Sequence, residues 1–564
     1  MSGKIITTLL SAVAAAALMN VAAAEAQAPA ALTGTVSSAQ EGNMEGVIVT
    51  AKKAGSTMSI SVVSDDKGRY AFPADRLEAG RYTIRIRAVG YNAPGRPAAD
   101  VAAGKTATVD LKLAKTDNIA PQLTSAEWMA SMPGTDDQKA FLQDCVGCHT
   151  LVRPLSSGFT AADFMKIIPR MGTYAPGSQP QRPQMLLPGP RGNRGQFQPT
   201  KDDEGPGAAT SGSPLAKAAN YLASVNLSKG DNYSYKLQPF PRPKGRATHV
   251  IYTTYDLNRP EAMPHDVVFH QGKVYYTDFG SQYVGELDPK TGKLTDHEIP
   301  VLKPEQPRGV LELKPDPEGN LWASMMYQGG IARLNTKTGK VDTFKVPDKW
   351  QGPNTQESMV SPEHWTVDGY VWTNNQEDHS ILRVNVKTGE WENLGVLKDP
   401  KGRSINGYDI PTDKDNNLFL LEFGGTKIGK IDAKTKKLTT WDPDLPHARP
   451  RRGHFDTNGN LVYAEYGSNA VGVFDTKKES ITEWQMQTKW QMPYDALANK
   501  KGDIYTGSML SDRVVRLNPK TAEQIVYLLP SSTNIRRVDW DEGGQALWVG
   551  SNHGNSIVKM EPLD

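Results

Sequence analysis

Apolar and polar positions alternate along the first part of the chain. In "AGRYTIRIRAVGY", Tyr82, Ile84, Ile86 and Ala88 are separated by Thr83, Arg85 and Arg87, the period of a half-buried strand. Short runs of this kind, divided by turn residues, fill residues 31–114 and predict a small antiparallel β-sandwich. The period lengthens over residues 120–235. "TDDQKAFLQDC" offers Thr135 as a helix cap with Asp136 and Asp137 in the first turn, and "TAADFMKIIPRM" places Phe164, Ile167 and Ile168 on one face until Pro169 disturbs the turn. "SPLAKAANYLASVNLS" gives a further helix with Leu215, Ala218, Ala219 and Leu222 on one side. A small all-α domain follows, interrupted by a Pro-, Gly-, Arg- and Gln-rich insertion over residues 172–213.

Over residues 248–564 a unit of strand, turn, strand, "KTG"-type hairpin and outer strand recurs in seven copies, from "GKVYYTDFGSQYVGELDPKTGKLTDHEIP" to "QALWVGSNHGNSIVKMEPLD". The spacing of roughly 43 to 50 residues suits one four-stranded propeller blade per copy. The last copy lacks its outer strand, and Val250 to Leu257 precede the first copy without a blade of their own. That strand is expected to fill the missing place and close the ring. Trp322, Trp372 and Trp548 recur at one blade position and read as filling between blades. The fold class is therefore multidomain and mainly β: a sandwich, a small all-α domain and a seven-bladed β-propeller.

Two families share these patterns. "GTVSS", "EGVIVTAKKAG", "SDDKGRYAF" and "LEAGRYTIRIRAVGY" resemble the carboxypeptidase regulatory-like family, a transthyretin-like sandwich. The resemblance implies a structural or carbohydrate-adjacent module without catalytic residues. The recurrent "P-x-D/G-V", "G-x-L/V-W/Y" and "I-x-R/K-L/I-D/N" units resemble the virginiamycin B lyase, or streptogramin lyase, propellers.

Lys and Arg number 64 against 62 Asp and Glu, so no overall field favours nucleic acid or an acidic membrane surface. Residues 1–26 combine Lys4, an Ala- and Leu-rich run, and Ala24 and Ala26 about Glu25. They read as a cleaved signal peptide, with a retained anchor helix as the alternative, and place the chain in the periplasm. No later segment is apolar enough to span a bilayer.

The chain has two cysteines, Cys145 and Cys148, followed at once by His149. Thiols three positions apart on a helical turn can add to the two vinyl groups of a haem, and the adjacent histidine can ligate the iron. A thioredoxin-like pair would need a preceding strand within a parallel unit, and a plain disulfide would not require His149. With a helix on either side, the segment resembles the cytochrome c family, which implies one covalent haem c. Met171 is the expected sixth ligand, with Met185 in the insertion as the alternative and Met165 assigned to packing.

In a propeller the turns entering the innermost strands converge on one mouth of the channel. Here they carry Glu261, His265 and Asp266; Arg308; Glu363 and His364; Tyr408 and Asp409; Arg452 and His454; Tyr494 and Asp495; Arg536 and Arg537. Streptogramin lyases use a histidine base and an acid near magnesium, and the resemblance implies His265, which follows Pro264 as in that family's Pro-His turn, and Glu363 beside His364; with His454 of the funnel these are the catalytic candidates. The Glu-Pro-His triplet of that family is absent, and the last blade reads Asn534, Ile535, Arg536, Arg537 in its place. His265, His364 and His454 form a second possibility, a divalent metal site across the channel. The expected activity is electron transfer through the haem, coupled to oxidation of a small molecule or to docking of a redox partner protein at the funnel. A carbon-oxygen lyase and a non-catalytic electron carrier are the alternatives.

Overall fold

The computed structural model describes residues 29–184, 197–205 and 207–564. The leader-like residues 1–26 and Met185 lie outside them. In the sandwich, Ile48–Lys53 runs between Met58–Val63 and Gly80–Arg87, while Ala30–Ser38 pairs with Arg69–Pro73 and, in parallel, with Leu111–Lys115. The alternation is realised in the third of these strands: Tyr82 and Ile84 are buried between exposed Arg81, Thr83 and Arg85. They join Leu32, Val49 and Phe72 in one apolar core.

Helices follow in the order α1 (Ser125–Ser131), α2 (Asp136–Lys139), α3 (Leu142–Cys145), α4 (Val152–Leu155), α5 (Ala161–Thr173) and α6 (Pro214–Val225). Capping boxes start three of them: Thr124 with Glu127, Thr135 with Gln138, and Thr160 with Asp163. Pro169 does not end α5 as the sequence suggests; the helix continues to Thr173. A proline forfeits one backbone bond, and Phe164, Met165 and Ile168 before it hold the helix on the apolar core. Trp128, Met129 and Leu222 share a core with Tyr466, Trp490 and Met509, so the helices are packed onto the propeller through apolar contact.

Seven successive sheets form the β-propeller among the described residues. Their innermost strands include Pro264–His270, Leu313–Pro315, Glu357–Ser361, Pro450–Phe455, Pro493–Ala498 and Val538–Trp540. The first of these also contacts the last, closing the ring. Val250–Asp256 pairs with Ser556–Pro562 along its full length and supplies the outer strand of the seventh sheet. Its other edge pairs with Met58–Val63 of the sandwich. One eight-stranded sheet therefore runs from propeller into sandwich, and an edge that would otherwise invite pairing is covered. Arg76 with Glu561 (3.0 Å) and Arg87 with Asp512 (2.6 Å) tie the same junction. Trp322, Trp372 and Trp548 are buried in separate apolar clusters of the propeller.

Carboxylates bind neighbouring blades together. Oxygens of Asp266, Glu312, Asp409, Asp495 and Asp539 accept the backbone N–H of Leu313, Val360, Gly453, Val538 and Phe269, at 3.3, 2.8, 3.0, 3.1 and 2.9 Å. Each bond crosses from one blade to the next, and the last returns from the seventh blade to the first. A charged acceptor makes these bonds stronger than neutral ones.

Candidate functional site: two cavities where the helices meet the propeller

The turn after α3 lies on the propeller mouth. The Val146 carbonyl accepts from Asn534 Nδ2 (3.3 Å), that of Gly147 from Arg536 Nη2 (3.2 Å), and that of Gln143 from the Tyr466 hydroxyl (2.9 Å). Asn534 and Arg536, the residues that stand where a lyase triplet is absent, thus hold the Cys-x-x-Cys turn. His149 donates from Nδ1 to the Thr150 carbonyl at 2.9 Å. A carbonyl can only accept, so Nδ1 carries the proton and Nε2 keeps its lone pair. Metal-binding imidazoles are oriented by such a bond.

Cys145, Cys148, His149 and Met171 line one cavity of about 330 Å³. Its walls are largely apolar, with Phe141, Phe159, Phe164, Ile167, Ile168 and Leu222 among them. Met171 reaches it from the last turn of α5. Past α5 the chain presses on the first blade: Gln179 Nε2 donates to the Glu261 carbonyl (3.0 Å), Gln184 Nε2 to that of Gly280 (2.7 Å), and Arg182 Nη1 to Ser281 Oγ (2.9 Å). Gly177 makes this approach possible, because at φ +83° an added Cβ would lie 2.1 Å from the Phe279 carbonyl oxygen.

A second cavity of about 550 Å³ occupies the propeller mouth. Asp144, Cys148 and Tyr174 line both cavities. The lining of the second includes the amides Asn354, Gln376 and Asn406, with Glu377 and His379. An aromatic and basic wall carries Tyr408, Phe423, Tyr494, Arg449, Arg451 and Arg536.

Tyr494 is the focus of that wall. Its hydroxyl meets that of Tyr408, receives Arg536 Nη1 at 3.3 Å, and lies 3.4 Å from His265 Nε2. The Arg451 guanidinium sits 3.8 Å from its ring centre. Burial would push the phenol up, but Arg451, Arg536 and Arg452 prevail and bring it down to about 8. Tyr408 is pushed well above the usual range by burial and by its neighbour Tyr494, which outweigh Arg451 and Arg452 there.

Behind this wall the predicted funnel residues fill the channel. Asp266 is fully buried; it accepts from Arg452 at 2.7 Å and Arg537 at 3.2 Å and bonds His265 Nδ1 at 2.7 Å. Burial opposes its charge, yet the two arginines and His265 hold the carboxyl far below its ordinary range. Burial brings the His265 imidazole down to about 3. Lys314 joins Glu312, Glu363 and Asp409 at 3.2, 3.3 and 3.5 Å.

The structure separates the expected residues into groups. Tyr408, Tyr494 and Arg536 line the mouth cavity, whereas Asp266, Asp409, Asp495, Arg452 and Arg537 join blades or occupy the channel. Arg308 is exposed, and its carbonyl accepts from Gln184. His265, His364 and His454 do not converge. They bond instead to Asp266, to Thr412 (3.1 Å) and to Asp495 (2.9 Å). Among the described residues no group of three or more His, Cys, Asp or Glu side chains is placed to hold a metal ion. Of the four expected catalytic residues, Glu363 meets Lys314 at 3.3 Å, while the three histidines have the partners just given. Among the described residues no helix is long and apolar enough to cross a membrane.

Residues 31–114 match the carboxypeptidase regulatory-like domain family. No curated protein matches the chain. Among solved structures, a streptogramin B lyase is similar at 19% identity and a TM-score of 0.49, over 56% of this chain and 99% of that one. Selenomethionine-substituted virginiamycin B lyase from Staphylococcus aureus gives 18% identity and a TM-score of 0.48, over 55% and 99%. A catalytically inactive variant of the Staphylococcus aureus enzyme with quinupristin gives 19% and 0.47, over the same shares. The likeness is confined to the propeller fold.

Proposed function

We propose that this chain is a periplasmic c-type cytochrome that exchanges electrons between one covalent haem and a small molecule held in the propeller mouth. The reading is carried by one observation: Cys145, Cys148, His149 and Met171 arrive from different segments and line one apolar cavity. The donor set fits the group. Two thiols stand one helical turn apart, an imidazole is oriented through Nδ1, and a thioether reaches the same cavity. A haem bound there supplies a one-electron redox centre. Cys145 and Cys148 would form its thioether links, His149 Nε2 would ligate one face, and Met171 is the described candidate for the other.

Asn534 and Arg536 fix the attachment turn against the blades, so the cofactor would stand at a set distance from the mouth. Cys148, Asp144 and Tyr174 form the partition between the two cavities. A molecule in the mouth would thus lie against the haem compartment and within reach of Tyr408 and Tyr494. Electrons leave to a redox partner protein in this scheme. The lyase alternative has less to support it, since His265 is sealed behind Tyr494 and bonded to an acid already held by two arginines.

The test is expression with a periplasmic haem-attachment system. The wild-type polypeptide should carry one covalent haem through denaturing electrophoresis, and Cys145→Ala with Cys148→Ala should abolish it. A wild-type chain that reaches the periplasm without haem would end this reading. Substrate is then sought by mixing the oxidised protein with small molecules and following reduction in the visible spectrum.

A further inference from the structure

Arg451 stands at the start of the fifth blade's inner strand, where a bulge between Pro450 and Gly453 breaks the alternation. Consecutive arginines are buried as a result: Arg452 enters the channel and Arg451 faces the mouth cavity. Arg451 is 7% exposed. Its guanidinium packs among the rings of Tyr494, Phe423 and Tyr466, at 3.8, 4.0 and 4.6 Å from their centres.

The contrast with its neighbours is in the partners. Arg452 and Arg537 meet Asp266, and Arg449 lies 3.7 Å from Asp144. Among the described residues Arg451 has no carboxylate within ion-pair distance. Nη1 reaches only the Met509 sulfur, at 3.9 Å, and Nε has no hydrogen-bond partner. Aromatic faces offset part of a buried positive charge, but they do not use the planar fork of N–H donors, whose geometry matches a carboxylate. Buried charges are ordinarily paired. Arg536 stands beside it and spends its donors on Asn534, Gly147 and Tyr494 without an acid.

We propose that the mouth cavity is a carboxylate-binding site in which Arg451, flanked by Arg449 and Arg536, receives the carboxylate group. Two sources share that chemistry. One is a free small organic acid, whose hydroxyl groups would meet Asn354, Gln376 and Asn406 of the same cavity lining. The other is a propionate of the haem itself, reaching through the partition, and this source rests on the haem reading above.

Calorimetric titration of the purified full-length protein with acetate, benzoate and gluconate, and with neutral benzamide and glucose, separates the two. If the source is a free acid, at least one carboxylate binds at one site per chain and the neutral compounds bind at least tenfold more weakly. Arg451→Gln then weakens that binding by roughly ten- to a hundredfold, the worth of a charge-assisted pair. If the source is the propionate, none of the acids binds. The haem potential, level across about pH 5 to 7 in the wild type, gains a pH-dependent segment in Arg451→Gln as the propionate loses its partner. Asp144, Glu377, His379, Tyr408, Arg449 and Arg536 line the cavity in both proteins, and loss of Arg451 moves the Tyr494 phenol up, away from that window.

Should Arg451→Gln fail to fold, Arg451→Lys keeps the charge without the fork and is expected to weaken binding about tenfold. Absence of carboxylate binding together with an unaltered potential profile would overturn the inference. In a protein without haem the calorimetry decides alone: acid binding that depends on Arg451 upholds the site although the haem reading has failed.

Discussion

The sharpest consequence of the mouth geometry is the ionisation of Tyr494. The chain has 20 tyrosines, and a buried phenol ordinarily ionises later than a free one. Tyr494 reverses this because Arg451, Arg536 and Arg452 outweigh its burial and bring it from 10.0 to about 8. Ultraviolet difference titration should therefore show one phenolate forming near pH 8, absent in Tyr494→Phe. The same displacement fixes the sign of a stability effect. Between pH 8 and 10 the folded state has released a proton that the unfolded state still holds, so stability rises with pH across that window. The rise is set by how far the three arginines depress the phenol, at about 1.4 kcal/mol for each pH unit. This contribution is complete above pH 10 and is lost as pH falls through 8. Urea unfolding of wild type and Tyr494→Phe at intervals from pH 7 to 10 isolates it, since other titrating groups are common to both. A difference between the two proteins that stays constant with pH, or a phenolate count unchanged below pH 9, would refute the reasoning.

Glu357 provides the opposite sign. Both of its carboxylate oxygens are buried without a hydrogen-bond partner among the described residues, and burial pushes the group from 4.5 up to about 8. The folded state holds the extra proton, so stability falls as pH rises from 4.5 to 8, by up to about 5 kcal/mol. Glu357→Gln should remove that slope, and its stability relative to wild type should climb over the same range in denaturant titrations. Asp539 carries the bond that closes the ring from the seventh blade to the first, at 2.9 Å. Asp539→Ala leaves the part-buried Phe269 N–H without its charged acceptor and should cost about 1 to 3 kcal/mol in the same assay, with faster amide exchange along Pro264–His270.

Much of the architecture is legible in the sequence because repetition averages over local ambiguity. Seven copies of one strand pattern determine the blades, and their unequal ends determine that Val250–Asp256 must complete the last sheet. The Cys145, Cys148 and His149 cluster and the apolar face of α5 are legible for a similar reason, since spacing alone brings their side chains to one side. What the pattern conceals is which inner-strand residues serve the ring and which face a ligand. Asp266, Asp409 and Asp495 read as funnel acids, yet each accepts a backbone N–H from a following blade. Acids recur at this task in five blades, and recurrence is what a structural device in a repeat protein requires. A site for one ligand needs the opposite, a departure from the repeat. Arg451 is such a departure in residue type, and it is hidden from alternation because the inner strand shifts register after Pro450, as it does after Pro264, Glu357 and Pro493 in other blades. Asn534 and Arg536 are another: the residues that break the lyase pattern in the last blade are those that grip the Cys-x-x-Cys turn. In this chain the positions that break the repeat, more than those that keep it, point to the chemistry.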